Sequence, residues 1–240
     1  MMDSLSNSRL RAVSIAVVLA AISSLISATQ PVVLRSVVGP LITESSLSPV
    51  SLVVNFLYNY GLALVVGILL LYLSGRGVAY FDVRPLTRRG VGYAVAGVLI
   101  RLVAEVGIEI ANSLFGLTTS GSDSVALILS GGTATIAAGF LLIVFFAVPA
   151  EELFYRNIIQ KRLEEGFPSS VAVVLAATLF ALSHVPTYYS SNPILMASPF
   201  ASNLVGGLVY GSVYARTKNI APAVLAHALY NTIGFGLAVV

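Results

Sequence analysis

Thirteen consecutive residues at 136–148, IAAGFLLIVFFAV, carry no charge and no strongly polar side chain, and the run ends on PAEELFYRN at 149–157. Six other apolar runs flank it, so that the set covers approximately 10–28, 50–73, 91–112, 134–156, 169–188, 199–216 and 220–240. Each is long enough, or nearly so, to cross roughly 30 Å of hydrocarbon as a helix. The breaks between them hold turn residues: Gly75-Arg76-Gly77, Thr87-Arg88-Arg89-Gly90, Gly166-Phe167-Pro168, 187–193 and Lys218-Asn219. Composition agrees. Only 10% of residues are charged and 57% are hydrophobic, against about 25% charged in soluble domains. Such a chain cannot cover a soluble surface. The expectation is an all-α polytopic bundle, one transmembrane domain over 1–240, with seven transmembrane helices, or eight if the short segment 121–131 enters the membrane.

Charge placement sets an orientation. With the N-terminus in the cytoplasm, the inner segments hold Arg9, Arg11, Arg76, Arg84, Arg88, Arg89, Arg156, Lys161, Arg162, Arg216 and Lys218, eleven of the thirteen basic residues. External loops hold only Arg35, and Arg101 lies within a span. This is the bias that the positive-inside rule requires, and it accounts for the net charge of +3 without a nucleic-acid partner. The first run resembles a secretory signal behind Arg9 and Arg11, but the small-x-small site near Ala28 is poor, so a retained anchor is expected. The chain has no cysteine, which excludes disulfides, thiol catalysis and cysteine metal sites.

Ionisable groups inside a membrane are expensive and need a reason. Glu152 and Arg156, four apart, share a helix face and can pair. Glu151, rotated about 100° away, must face something else. Pro149 removes a backbone bond to Phe145 and can bend the helix. The two histidines of the chain both fall in spans, His184 in FALSH and His227 in HALYN, where Asn231 shares its face. At 1.5 Å per residue from the basic helix ends, Glu151 lies roughly 15 Å deep, His184 roughly 20 Å, His227 roughly 10 Å and Asn231 roughly 16 Å. Three helices thus bring a carboxylate, two imidazoles and an amide to similar depth. Arg101, Glu105 and Glu109 form a further charged stripe that reads as a structural salt bridge. Gly207 and Gly211 form a GxxxG pair that allows close helix approach.

In combination, EELFYR, FALSH and RTKNIAPAVLAHALYN resemble the CPBP family of intramembrane proteases, which includes the type II CAAX prenyl endopeptidases and bacteriocin-processing or immunity proteins. The motifs cover about 149–231, within a protease region of 134–240; the first 130 residues match only as membrane helices. The resemblance implies a membrane-embedded endopeptidase in the cell membrane that cleaves a membrane-associated peptide or protein substrate, lipidated in the CAAX case. It assigns Glu151 and His184 to water activation, His227 and Asn231 to the oxyanion, and Glu152 and Arg156 to support. No cofactor is expected; zinc on Glu151, His184 and His227 is the alternative, disfavoured because no H-E-x-x-H pair pre-forms the site and because Asn231 suits an oxyanion donor better than a zinc second shell. The competing function is a non-enzymatic transporter or an immunity or scaffold protein; a transporter often shows inverted repeats, and none is seen.

Overall fold

The computed structural model describes residues 2–38, 48–117 and 123–239. Among these residues there is no strand. Eight helices follow one another: α1 Met2–Val33, α2 Pro49–Leu73, α3 Arg88–Phe115, α4 Asp123–Leu129, α5 Thr133–Glu164, α6 Ser169–Ser183, α7 Pro193–Thr217 and α8 Ile220–Val239. Five of the segments, Asn7–Ser36, Pro49–Leu73, Thr133–Glu164, Pro193–Thr217 and Ile220–Val239, are long and apolar enough to cross a membrane. The all-α membrane architecture therefore stands. Of the remaining expected spans, α3 is long but carries Arg101, Glu105 and Glu109, and α6 is apolar but only 15 residues long. The helix in 121–131 has seven residues, about 10 Å of rise, and supplies no eighth span; residues 121 and 122 lie outside the described residues.

Local chemistry explains where the helices start and stop. Ser48 caps α2 in a reciprocal capping box with Ser51, and Pro49 follows at the first turn. The Thr87 hydroxyl accepts from Gly90 N–H at 3.0 Å to open α3, and Gly116 closes it in the left-handed conformation. Asn192 caps α7. These side chains take up backbone donors that a helix end leaves open.

One end of the bundle is basic and laced together. There Lys218 meets Glu164 at 2.7 Å, Arg76 meets Glu165 at 2.6 Å, Lys161 meets Asp82 at 2.9 Å, and Arg9 donates to the Gly166 carbonyl at 3.2 Å. Asn219 ties the loop before α8 to the loop before α3 through Arg84. These contacts put the start of α1, the end of α2, the end of α5 and the α7–α8 turn at the same level. Arg156 does not belong with them. It is fully buried in the core, so it is no loop charge and does not count toward the inner basic bias.

Helix α5 occupies the middle of the bundle. Residues 154–160 are all buried, on every side of the helix. The segment is π-helical over Ile143–Ala147 and over Leu153–Gln160, with Pro149 and the two glutamates in the α turn between them. Pro149 has no N–H to close the α-type bond to Phe145, and wide turns of this kind gather at functional sites. The GxxxG face of α7 packs as expected. A Cβ on Gly207 would stand 2.8 Å from Ala177 Cα of α6, and one on Gly211 would stand 2.8 Å from the Gln160 amide oxygen of α5.

Candidate active site

The two adjacent glutamates divide their duties. Glu152 is fully buried, and its two carboxylate oxygens serve two partners: Oε2 accepts from Arg156 Nε at 3.0 Å, and Oε1 accepts from His227 Nδ1 at 3.0 Å. The expected Glu152–Arg156 pair is therefore present, with a histidine added. Arg156 is equally buried. Its Nη1 and Nη2 have no hydrogen-bond partner among the described residues, so its charge is balanced by Glu152 and by the Phe180 ring 5.1 Å away.

Glu151 turns to the other side and meets both histidines. His184 Nε2 lies 3.5 Å from Oε1, and His227 Nε2 lies 3.8 Å from Oε2. The carboxylate keeps a little exposure, with 12% of its side chain accessible, while His184 keeps 24% and His227 8%. This exposure is what a carboxylate needs if a substrate is to reach it.

Each imidazole is fixed through its other nitrogen. His184 Nδ1 lies 2.8 Å from the Phe180 carbonyl of its own helix, which requires a proton on Nδ1 and leaves Nε2 as the acceptor in the neutral ring. His227 Nδ1 is held by Glu152, its ring stacks on Tyr210 at 4.4 Å, and Phe180 meets it edge-on at 6.4 Å. The position of His184 differs from expectation. It lies past the last turn of α6 and forms its C-cap, followed by a 3-10 turn over Val185–Tyr188. Fifteen residues rise about 22 Å, less than the hydrocarbon thickness, so α6 ends within the bundle and presents His184 from its tip.

Asn231 lies one turn beyond His227 on α8, partly buried, with no side-chain hydrogen bond among the described residues. The Arg101 stripe is a separate element. Arg101 pairs with Glu105, both bond to Ser202 of α7, and Arg101 lies over the Tyr230 ring at 4.4 Å. Glu109 leaves this network and contacts Asn112 at 3.3 Å. A residue that the sequence did not single out is Tyr60, in the π-helical turn Leu57–Gly61 of α2, whose hydroxyl interacts with the Glu151 carboxylate. The only sequence signal for it was an isolated polar patch, YNY, within an apolar run.

A zinc ion is the cofactor against which these residues must be tested. The type of donor fits: two Nε2 atoms and a carboxylate, with Nδ1 held by a carbonyl in one ring and by a carboxylate in the other. That outer arrangement is common around zinc, so the sequence argument based on a missing acceptor beside His227 is corrected by Glu152. The positions do not fit. The two rings approach different oxygens of Glu151, and among the described residues no three His, Asp or Glu side chains converge to hold a metal ion.

Residues 133–233 match the family model described as type II CAAX prenyl endopeptidase Rce1-like. No curated protein and no solved structure matches the chain. The matched segment contains both glutamates, Arg156, both histidines and Asn231, and over these residues, a little under half of the chain, the protein is similar to the type II CAAX prenyl endopeptidase Rce1-like family.

Proposed function

We propose that this protein is an intramembrane endopeptidase in which Glu151 and His184 activate water. The observation that carries the reading is the division between the glutamates: Glu152 is consumed by Arg156 and His227, while Glu151 faces two imidazole Nε2 atoms at 3.5 and 3.8 Å. A water bound there has two protons to give, one to a Glu151 oxygen and one to His184 Nε2. Its oxygen attacks the scissile carbonyl carbon as the proton passes to Glu151. Glu151 then returns that proton to the amine nitrogen as the C–N bond breaks, and His184 Nε2 takes the second water proton, leaving a carboxylate and an amine.

The brace supports the assignment of His227: Glu152 holds its Nδ1 at 3.0 Å, which aims its Nε2 at the Glu151 side of the site. Its Nε2–H and the unpaired Asn231 amide then supply two donors to the tetrahedral oxygen, the kind of fixed donor pair that lowers such barriers. Tyr60 positions Glu151 from the opposite helix.

The substrate in this reading is a peptide held at the membrane near its C-terminus, with a lipidated CAAX-type sequence as the first candidate. The basic end of the bundle faces the cytoplasm of the cell; α3 makes a sixth crossing, and α6 makes the seventh together with the 3-10 turn and loop that follow His184. The test is hydrolysis of a panel of lipidated and unlipidated peptides by the purified chain after exhaustive chelation. Cleavage of the lipidated members should persist. Activity lost to the chelator and restored by stoichiometric zinc, with about one metal bound per chain, would refute the water-activating roles and make Glu151, His184 and His227 ligands.

A further inference from the structure

At the basic end, away from the two histidines, a groove opens between α1, α2 and the last turns of α5. It has two adjoining parts. The outer part, about 470 Å³, is polar and bordered by Arg11, Ser74, Arg76, Arg162 and Glu165. The inner part, about 400 Å³, shares Arg11, Ser74, Arg76 and Arg162 with it and continues between Val18, Leu19, Leu70, Leu71 and Ile158. Both volumes fall within the roughly 300–1,000 Å³ of small-molecule sites. Gly67 keeps the inner part narrow but open, since a Cβ there would stand 2.8 Å from Ile158 Cδ1.

The charges at the mouth do not balance. Glu165 is the single carboxylate that borders it among the described residues, and it binds both Arg76 and Arg162, each at 2.6 Å. Arg11 has no ion pair or hydrogen bond among the described residues and is exposed. Three guanidinium groups therefore share one carboxylate, at the top of an apolar slot. A guanidinium fork suits a phosphate or carboxylate anion, and an apolar slot suits a hydrocarbon chain. A ligand that satisfies both is an anionic amphiphile.

We propose that this groove binds one anionic phospholipid, with its phosphate among Arg11, Arg76 and Arg162 and one acyl chain between α1 and α2 against Ile158. The inner leaflet offers such lipids, and a basic residue at its surface is worth about 1 kcal/mol to the attraction, or about fivefold in affinity. The bound chain would brace α5 from the side opposite α7. Ile158 lies seven residues beyond Glu151, about 10 Å along the helix, so lipid occupancy and the hydrolytic site are separate features of one helix.

The experiment is native mass spectrometry of the purified full chain in micelles, with phosphatidylglycerol, phosphatidylcholine or soluble glycerol phosphate added. One phosphatidylglycerol should be retained per chain, in preference to phosphatidylcholine. Arg11→Gln, at an exposed position, should weaken that binding about fivefold and leave phosphatidylcholine unchanged. Ser14→Phe, at a position that also lines the inner slot, should abolish it; if that variant fails to fold, Val18→Phe blocks the slot from another exposed position of α1. Equal retention of the two lipids, wild-type retention by a folded slot-filling variant, or competition by glycerol phosphate at lipid-like concentration would each overturn the proposal. No arm depends on proteolysis, so loss of the protease reading would leave this result intact, and the reverse.

Discussion

Replacing Glu152 by glutamine perturbs the site where its charges are most deeply buried. The carboxylate is fully inaccessible and holds Arg156 Nε and His227 Nδ1, each at 3.0 Å. A glutamine has one acceptor, so its oxygen can serve one donor while its NH₂ group confronts the other. Arg156 is left as a buried cation without its counter-charge, a change that costs about 3–5 kcal/mol. His227 can adapt by accepting from the amide at Nδ1, but it then loses the carboxylate that holds its ring. Glu152→Gln should therefore lose both stability and turnover. Unfolding of the purified protein in mixed micelles, followed by helical circular dichroism, reads the first loss; kcat on a cleaved peptide reads the second. Because the penalty comes from a buried charge left without its partner, removing the cation as well, in Glu152→Gln combined with Arg156→Met, should recover much of the stability and none of the activity. A loss of stability below about 1 kcal/mol in the single variant, or recovery of turnover in the double one, would refute the brace.

Other consequences follow from the same geometry. Gly207→Ala should destabilise the α6–α7 contact by about 1–3 kcal/mol, since the new methyl would meet the Ala177 backbone at 2.8 Å; the same unfolding assay measures it. Tyr60→Phe should keep the ring packing on Phe56, at 5.4 Å, and lower kcat with unchanged stability. Asp82 lies in a loop outside the spans. Burial pushes its carboxyl up, but hydrogen bonds from Tyr214 and Lys161 and the Lys161 charge outweigh this and hold it below its ordinary value of 3.8. A depressed carboxyl adds stability above that value and loses it as pH falls through the folded value, so wild type and Asp82→Asn should differ in unfolding midpoint at pH 7 and converge in strong acid.

The apolar runs marked α1, α2, α5, α7 and α8 because lipid demands long unbroken hydrocarbon-facing stretches. They were less informative about α6. Its run continues in hydropathy to 188, but Pro186 breaks the helix and the backbone turns at His184, which moves that residue from mid-span to a helix tip. The i, i+4 rule found the Glu152–Arg156 pair because both residues belong to one helix. It could not find the third partner, since His227 is 75 residues away. Counting rise per residue spread Glu151, His184 and His227 over about 10 Å of depth, whereas their polar atoms lie within 3.8 Å of Glu151. Helix spacing, invisible in sequence, closes that difference. Tyr60 was missed for the same reason: nothing local to α2 records that α5 stands opposite.

The most direct measurement is kcat for Glu151→Gln, compared with wild type on one cleaved peptide, using protein whose fold has been checked by unfolding midpoint. Glutamine keeps the shape and the contacts at 3.5 and 3.8 Å but cannot accept a proton from water. If Glu151 is the base, kcat falls by about 10²–10⁴-fold while the midpoint stays near that of wild type, because Glu151, unlike Glu152, does not hold Arg156 and keeps some exposure. Turnover within a factor of about two of wild type in folded Glu151→Gln would contradict the assignment.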